Sequence, residues 1–295
     1  MSTIINLSKI AGVVVLYNSS YSVYSNIASY VCQVEKLYVV DNSTQPNYEL
    51  IELLSRENKV IYHSFNGNKG IATALNWAAN RAISDGFMVL LTMDDDTRTP
   101  HGMVHEMVNF WNQYPRQIGI LSGHHHTRPL EDFKLDKVSS KELPYTLTSG
   151  NLLSLEAFQL VGLFRDDFFI DHVDHEYGLR LNRAGFSVVE MKNICLEHRL
   201  GYTQQITVGK HVLFTYGSHS PTRLYYFARN GVYMVRRDFK ENPRFAYTVI
   251  KELTKRWIKA LFLQKNRFER IGMLMKGINH GWNGKLGEYN TGEKY

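Results

Sequence analysis

The chain has 295 residues, 44% hydrophobic and 21% charged, a balance that fits a globular protein able to bury a real core. Its longest apolar runs, GVVVLY at 12–17 and FMVLL at 87–91, fall far short of the roughly 20 residues that cross a bilayer, which excludes a membrane-spanning reading. The net charge of +6 suits an anionic partner, whether nucleotide, nucleic acid or lipid headgroup.

From the amino end, β-branched runs alternate with helical periods. Strands are expected at 9–16, 36–41 and 59–64, with helices near 22–32, near 47–57 and from about 70. This alternation predicts parallel pairing with right-handed crossovers. After Gly70, residues Ile71, Ala74, Leu75, Ala78 and Ala82 recur at three- and four-residue spacing, one apolar stripe for a sheet. The next strand, FMVLLTM, runs directly into Asp94, Asp95 and Asp96, at the carboxyl edge where open α/β sheets bind ligands.

Residues 123–144 carry no steady period and read as a long loop or lid, including the run His124, His125 and His126. Three consecutive side chains do not converge on one ion in either helix or strand, so the run reads as a polar loop. Order returns with TLTSGNLLS, a helix near 154–161, and a helix beginning near Asp171 that carries Asp174 and Glu176 in its first turn. The strand-like FSVVEM and the run ICLEH ending at His198 follow. Beyond about 220 the pattern becomes helical and rich in Arg, Lys and aromatic residues, giving a division into 1–220 and a basic helical appendage, 221–295. Cys32 and Cys195 match no metal spacing and sit among apolar neighbours, so both are expected to be buried thiols. The first residues lack a basic start, a long apolar stretch and a small-residue cleavage site, so the protein is expected in the cytoplasm.

Several clusters carry chemistry. Three adjacent carboxylates at a strand end repel one another unless a cation or hydrogen-bond donors compensate, and a hard divalent ion would also hold a diphosphate. The same residues also suit a solvated turn before a helix cap at Thr97 or Thr99. Asp41, followed by Asn42 and Ser43, can accept from a base or ribose, or can simply close its strand. Gly67 and Gly70 allow a tight backbone and a helix start facing an anion. Asp174 can be a general base if it faces a cleft, or with Asp171 it can cap the helix. His198 can ligate a metal or serve as a structural polar residue.

Taken in order, VVVLYN, YVVDNST, NGNKGIATALN, LLTMDDDT, TSGNLLS, FIDHVDHEYGLRLNRAGF and LEHRLG resemble the family 2 glycosyltransferases, especially their bacterial rhamnosyltransferase branch, over roughly 9–235. The resemblance implies the GT-A fold, a Rossmann-like, mixed but mainly parallel sheet flanked by helices. It implies an inverting transfer from a nucleoside diphosphate sugar, such as a dTDP-sugar (rhamnose) or a UDP-sugar, to a saccharide or lipid-linked acceptor in surface polysaccharide synthesis. By that resemblance Tyr17, Asn18, Asp41, Asn68, Gly70, Asp94 and Asp95 would surround the donor, with Asp41 at the base. Asp96 and His198 would hold Mn2+ or Mg2+, Asp174 would be the base, and Gly150 and Glu176 would serve the acceptor. One departure is Asp95, where that branch often has glutamine. The basic tail would touch an anionic membrane surface, nucleic acid is not an expected partner, and an oligomer is compatible.

Two rivals leave different traces. A sugar nucleotidyltransferase wants a glycine- and arginine-rich phosphate loop after its first strand, which VVVLYNSSYS lacks. A non-catalytic basic membrane or nucleic-acid module explains the tail and gives the acidic clusters no purpose.

Overall fold

The computed structural model describes residues 4–126, 139–198, 203–208 and 211–289. They divide into two compact units, 1–165 with 174–199, and 166–173 with 200–295. The sequence-based boundary at 220 differs, because residues 166–173 and those from 200 onward fall with the helices.

The first unit is built on β1 (Ile10–Leu16), β2 (Lys36–Asp41), β3 (Val60–Ser64) and β4 (Val89–Asp94), in the spatial order β3, β2, β1, β4 and all parallel. The seven residues of β1 are all buried, and so are the last five of β2, as expected for central parallel strands covered on both faces. Helices α1 (Tyr24–Val31), α2 (Tyr48–Ser55) and α3 (Ile71–Ser84) make the crossovers. The stripe on α3 is real: Ala74, Leu75, Ala78 and Ala82 are all buried. Gly70 precedes α3 at φ 84, a left-handed setting that costs glycine little.

Beyond β4 come the two-residue β5 (Thr97–Arg98), α4 (Met103–Gln113), β6 (Ile118–His126), β7 (Ser140–Glu142), β8 (Asn151–Ser154) and α5 (Leu155–Val161). Then follow α6 (Val173–Arg183) and β9 (Ser187–His198). Strand β8 lies antiparallel between β4 and β6, and β9 runs parallel to β6, making the sheet mixed and nine-stranded.

Four expectations are corrected. The stretch 123–144 is not one loop: β6 and β7 occupy its described ends, while 127–138 lie outside the described residues. His124 and His125 therefore sit in a strand, opposite Cys195 and Leu196. The expected pair of strand runs around residues 186–198 is one strand, with a register shift against β6 that leaves Lys192, Asn193 and Ile194 out of the pairing. Helix α6 starts at Val173, so Asp171 is no cap; it lies before the helix at φ 63. Cys32 is exposed, because α1 ends at Val31 and turns its next residue outward, whereas Cys195 is buried.

The second unit contains a hairpin of β10 (Thr203–Val208) and β11 (His211–Gly217), then α7 (Pro221–Asp238), α8 (Pro243–Phe262) and α9 (Arg267–Trp282). Leu224, Ala228, Ala260 and Leu274 form its small core. Gly277 and Gly281 let α9 approach the α7 backbone so closely that a Cβ at either would collide with it. Arg229, only 1% exposed, stacks near the rings of Tyr225 and Tyr226 and donates to the carbonyls of Asp167 and Phe168. Asn230 donates to those of Phe168, Ile170 and Asp171, so the turn 166–173 is held by two buried polar side chains. Among the described residues no helix is long and apolar enough to cross a membrane.

Candidate active site

The carboxyl ends of β1, β2 and β4 lie side by side, since Leu16 pairs with Asp41 and Val15 with Asp94. Their loops interlock. Asn18, at φ 50, accepts through Oδ1 from the Gln45 amide at 2.9 Å and the Thr44 amide at 3.1 Å, while its own amide donates to Ser43 Oγ at 2.8 Å. Asn42, 3% exposed, donates to Asn68 Oδ1 and accepts from the Lys69 amide at 2.7 Å. Asn68 Oδ1 also accepts from the Gly70 amide at 2.9 Å, which fixes the entry into α3.

Asp41 is buried, with Oδ1 accepting from the Ser43 amide at 2.9 Å and Oδ2 from Tyr62 Oη at 2.7 Å. Burial first, and then this bond, push the Tyr62 hydroxyl up to about 12. Tyr17 stands beside this rim, about half exposed.

Asp94, Asp95 and Asp96 are each partly exposed. Asp95 accepts from Ser19 Oγ, and its backbone carbonyl accepts from Asn26 Nδ2 at 2.8 Å. Its carboxyl is raised above the ordinary range, by burial first and by the neighbouring Asp96 charge after the opposing Ser19 bond. Crowded negative charge of this kind at a half-buried strand end is chemistry that fits a hard cation. The Asp94 amide donates to Ser149 Oγ at 2.9 Å, and Ser149 Oγ donates to Thr97 Oγ1 at 2.8 Å. Thr97 in turn pairs with His198 in antiparallel register, which brings the last residue of β9 beside the acidic run. The His198 side chain lies outside the described residues. Among the described side chains no group of three His, Cys, Asp or Glu forms a metal cluster.

Gly150 follows Ser149 at φ 74, and a Cβ there would collide with Leu196. Its amide donates to Thr92 O at 2.8 Å. At the other end of this segment, Asn182 of α6 donates to the Pro144 carbonyl at 2.9 Å, and Gly178 leaves room for the Tyr145 backbone. The Tyr145 ring packs on His175 at 4.2 Å between centroids, and its hydroxyl is raised by burial first and by the Asp174 charge second. Asp174 Oδ1 accepts from the His175 amide at 2.8 Å and lies 2.6 Å from His175 Nδ1. The segment 145–149 thus packs on His175, the neighbour of Asp174, at one end and bonds Asp94 at the other. Four residues of chain span at most about 14 Å, which bounds the distance between the two ends of this segment.

Glu176 is placed differently. It is 2% exposed and bound by Arg180 Nη2 at 2.8 Å, while the same guanidinium donates to the Val161 and Leu163 carbonyls. This carboxylate anchors α6 to the turn after α5. Its partner was legible as an i,i+4 pair. Ser19, Asn26, Tyr145 and Ser149 carry no local signal and emerge only from tertiary contact. A cavity of about 200 Å³ lies at the amino end of β4, lined by Met88 and Val89 and by none of these groups.

Comparison with known proteins bears on the fold. The family model described as Glycosyl transferase family 2 matches residues 13–162. A dTDP-rhamnosyl transferase, RfbF of Shigella flexneri, is 26% identical over 249 residues, covering 78% of this chain and 81% of that protein. GalNAc-T7, solved with UDP, GalNAc and Mn2+, superposes at a TM-score of 0.60 with 14% identity over 94% of this chain, which spans 56% of that structure. The 1–349 fragment of S. aureus TarS superposes at 0.57 with 13% identity, over 92% of this chain and 80% of the fragment.

Proposed function

The chain belongs to glycosyl transferase family 2 and has the GT-A fold, and from that premise we propose that it transfers rhamnose from dTDP-rhamnose to a saccharide or lipid-linked acceptor, with inversion. That it is a glycosyltransferase follows from the family; the sugar and nucleotide rest on similarity to the RfbF rhamnosyl transferase. The observation that supports the site assignment is the segment Tyr145 to Ser149, which packs on His175 beside Asp174 at one end and accepts from the Asp94 amide at the other.

In this reading Asp41 meets the nucleobase or ribose. Tyr17, Asn18, Asn68 and Gly70 shape the cleft for the nucleotide, the interlocked asparagines keeping the loops rigid before the donor arrives. Asp94 and Asp95 line the donor, and Asp96 with His198 would hold a divalent cation, Mn2+ or Mg2+, which when bound neutralises the charge developing on the diphosphate as it leaves. Asp174 takes the proton from the acceptor hydroxyl as that oxygen bonds to the anomeric carbon and the diphosphate departs from the opposite face. His175, bonded to the same carboxylate, orients it. Gly150 lets the acceptor-side segment sit close against β9, and Glu176 acts from behind, holding the helix that carries the base.

A surface role for the helical unit is favoured by α8, where Tyr247, Ile250, Ile258 and Leu261 are exposed alongside Lys251 and Lys255. This amphipathic, basic face suits an anionic membrane surface where a lipid-linked acceptor would lie.

Incubation with dTDP-, UDP- and GDP-sugars, with manganese and with chelator, tests the reading. Consumption of dTDP-rhamnose that stops with chelator is the expected result. Preference for another donor would overturn the sugar assignment.

A further inference from the structure

Within the helical unit, a second cluster of polar groups has no part in the proposed transfer. A cavity of about 90 Å³ opens between the entry to α7 and the second half of α8. It is lined by His219, Glu252, Lys255, Arg256, Lys259 and Gln264. We propose that this cavity binds a phosphate group, either of a free phosphate or phosphoanhydride or of a phospholipid headgroup.

Charge points there first. Arg223, Arg256, Lys259 and Arg270 all act on His219, and Lys255 lines the same cavity. Arg223 is paired with Asp171 at 3.3 Å and Lys255 with Glu252 at 2.6 Å. Among the described residues Arg256, Lys259 and Arg270 have no carboxylate within ion-pair distance, so cations outnumber anions around one small space. Like charges gathered without counter-charge raise the energy of the folded unit, and an anion relieves it.

Unsatisfied donors point the same way. Arg256 lies with its guanidinium 3.7 Å from the Phe227 ring centroid, and its buried Nε has no hydrogen-bond partner. Gln264 is 6% exposed, and its Oε1 is likewise without a partner, while Nε2 meets Ser218 Oγ at 3.4 Å. The two ends of an amide interchange readily. With the amide turned, Ser218 Oγ donates to it and the NH2 presents a donor at the position Oε1 holds. Burying an unpaired guanidinium N–H and an unpaired amide end is costly, so the pair marks a place where a ligand completes the bonding. Arginine and lysine together are phosphate-binding chemistry. The size fits one compact anion with a few waters, well under the roughly 300 Å³ at which small-molecule pockets begin.

His219 supplies an internal reporter. Burial first, and then Arg256, Arg223, Lys259 and Arg270, lower its imidazole to about 4. Glu252, the carboxylate facing the same space, is already neutralised by Lys255. A bound dianion offsets the cationic field, so the His219 titration moves upward.

The test is calorimetry with inorganic phosphate and pyrophosphate, flotation with phosphatidylcholine vesicles containing phosphatidylglycerol, and proton NMR of the histidines on the full chain, His219 being assigned with His219→Gln. The proposal expects saturable binding in the phosphate arm or the vesicle arm, at least about tenfold weaker in both Arg256→Gln and Lys259→Ala, as for loss of a charge-assisted bond. It expects little change in Lys240→Ala, an exposed cation in the turn after α7 and outside the cavity. Phosphate binding with an upward His219 shift identifies a free phosphate; vesicle binding alone, dependent on Arg256 and Lys259, identifies a headgroup. No saturable binding in either arm, or an equal loss in Lys240→Ala, overturns the site. Because no residue of the acidic rim is involved, this result stands or falls apart from the transfer assay.

Discussion

Ser149 and Asp94 are joined by a 2.9 Å hydrogen bond from the Asp94 amide to the Ser149 hydroxyl, which in turn donates to Thr97 Oγ1. This side chain ties the segment 145–149 to the strand end that carries the aspartates. Ser149→Ala removes both of these hydrogen bonds in a buried place, at a cost of about 1–3 kcal/mol. Urea unfolding should show that loss, and nucleotide affinity should fall with it. A variant as stable as the parent would mean that the bond does not hold the rim together.

Asp95 gives a pH-dependent signature. Its folded pKa is raised above the ordinary 3.8, by burial first. The stability tied to its proton is therefore present below 3.8 and lost as pH rises through the folded value. At neutral pH its ionised form opposes folding. Asp95→Asn should melt higher than the parent in metal-free buffer, with the advantage shrinking on acidification and in manganese. Equal melting temperatures throughout would remove the crowded-charge account.

Two glycines bracket the backbone argument. Gly150→Ala combines left-handed strain of about 1–2 kcal/mol with a collision against Leu196 worth about 1–3 kcal/mol. Gly272, exposed inside α9 with nothing near its Cβ position, should instead gain about 0.5–1 kcal/mol as alanine. Denaturant midpoints that moved in the same direction for both would contradict the geometry.

For the helical unit, binding to phosphatidylglycerol vesicles should weaken as salt rises and should fall in Phe262→Asp, a 73% exposed aromatic at the end of α8. Salt-insensitive binding would argue for a different contact.

Much of the first half was legible because β1, β2 and β4 are buried on both faces, so their β-branched and aliphatic runs stand out between glycine and asparagine turns. The strand β6 was not. Gly119 and Gly123 are needed where Leu181 and Ile194 crowd in, and the following histidines carry no apolar alternation. Strand β9 read as two runs because Lys192, Asn193 and Ile194 fall out of register with β6. The aspartates at the site were visible by position, at the end of an apolar strand. What holds them was hidden: Ser19 reaches Asp95 from 76 residues away and Ser149 reaches Asp94 from 55, and side-chain bonds across such gaps leave no periodic trace. Asp171 looked like a cap by spacing alone, and the backbone at φ 63 shows the helix beginning two residues later.

The claim on which the rest depends is that the acidic triplet holds the donor while Asp174 removes the acceptor proton. Asp174→Asn, assayed with dTDP-rhamnose, manganese and acceptor, should keep calorimetric nucleotide affinity near the parent value and lose transfer by about 10²- to 10⁴-fold. In the same experiment Asp96→Ala should lose the manganese-dependent part of that affinity. Near-normal transfer by Asp174→Asn would contradict the account.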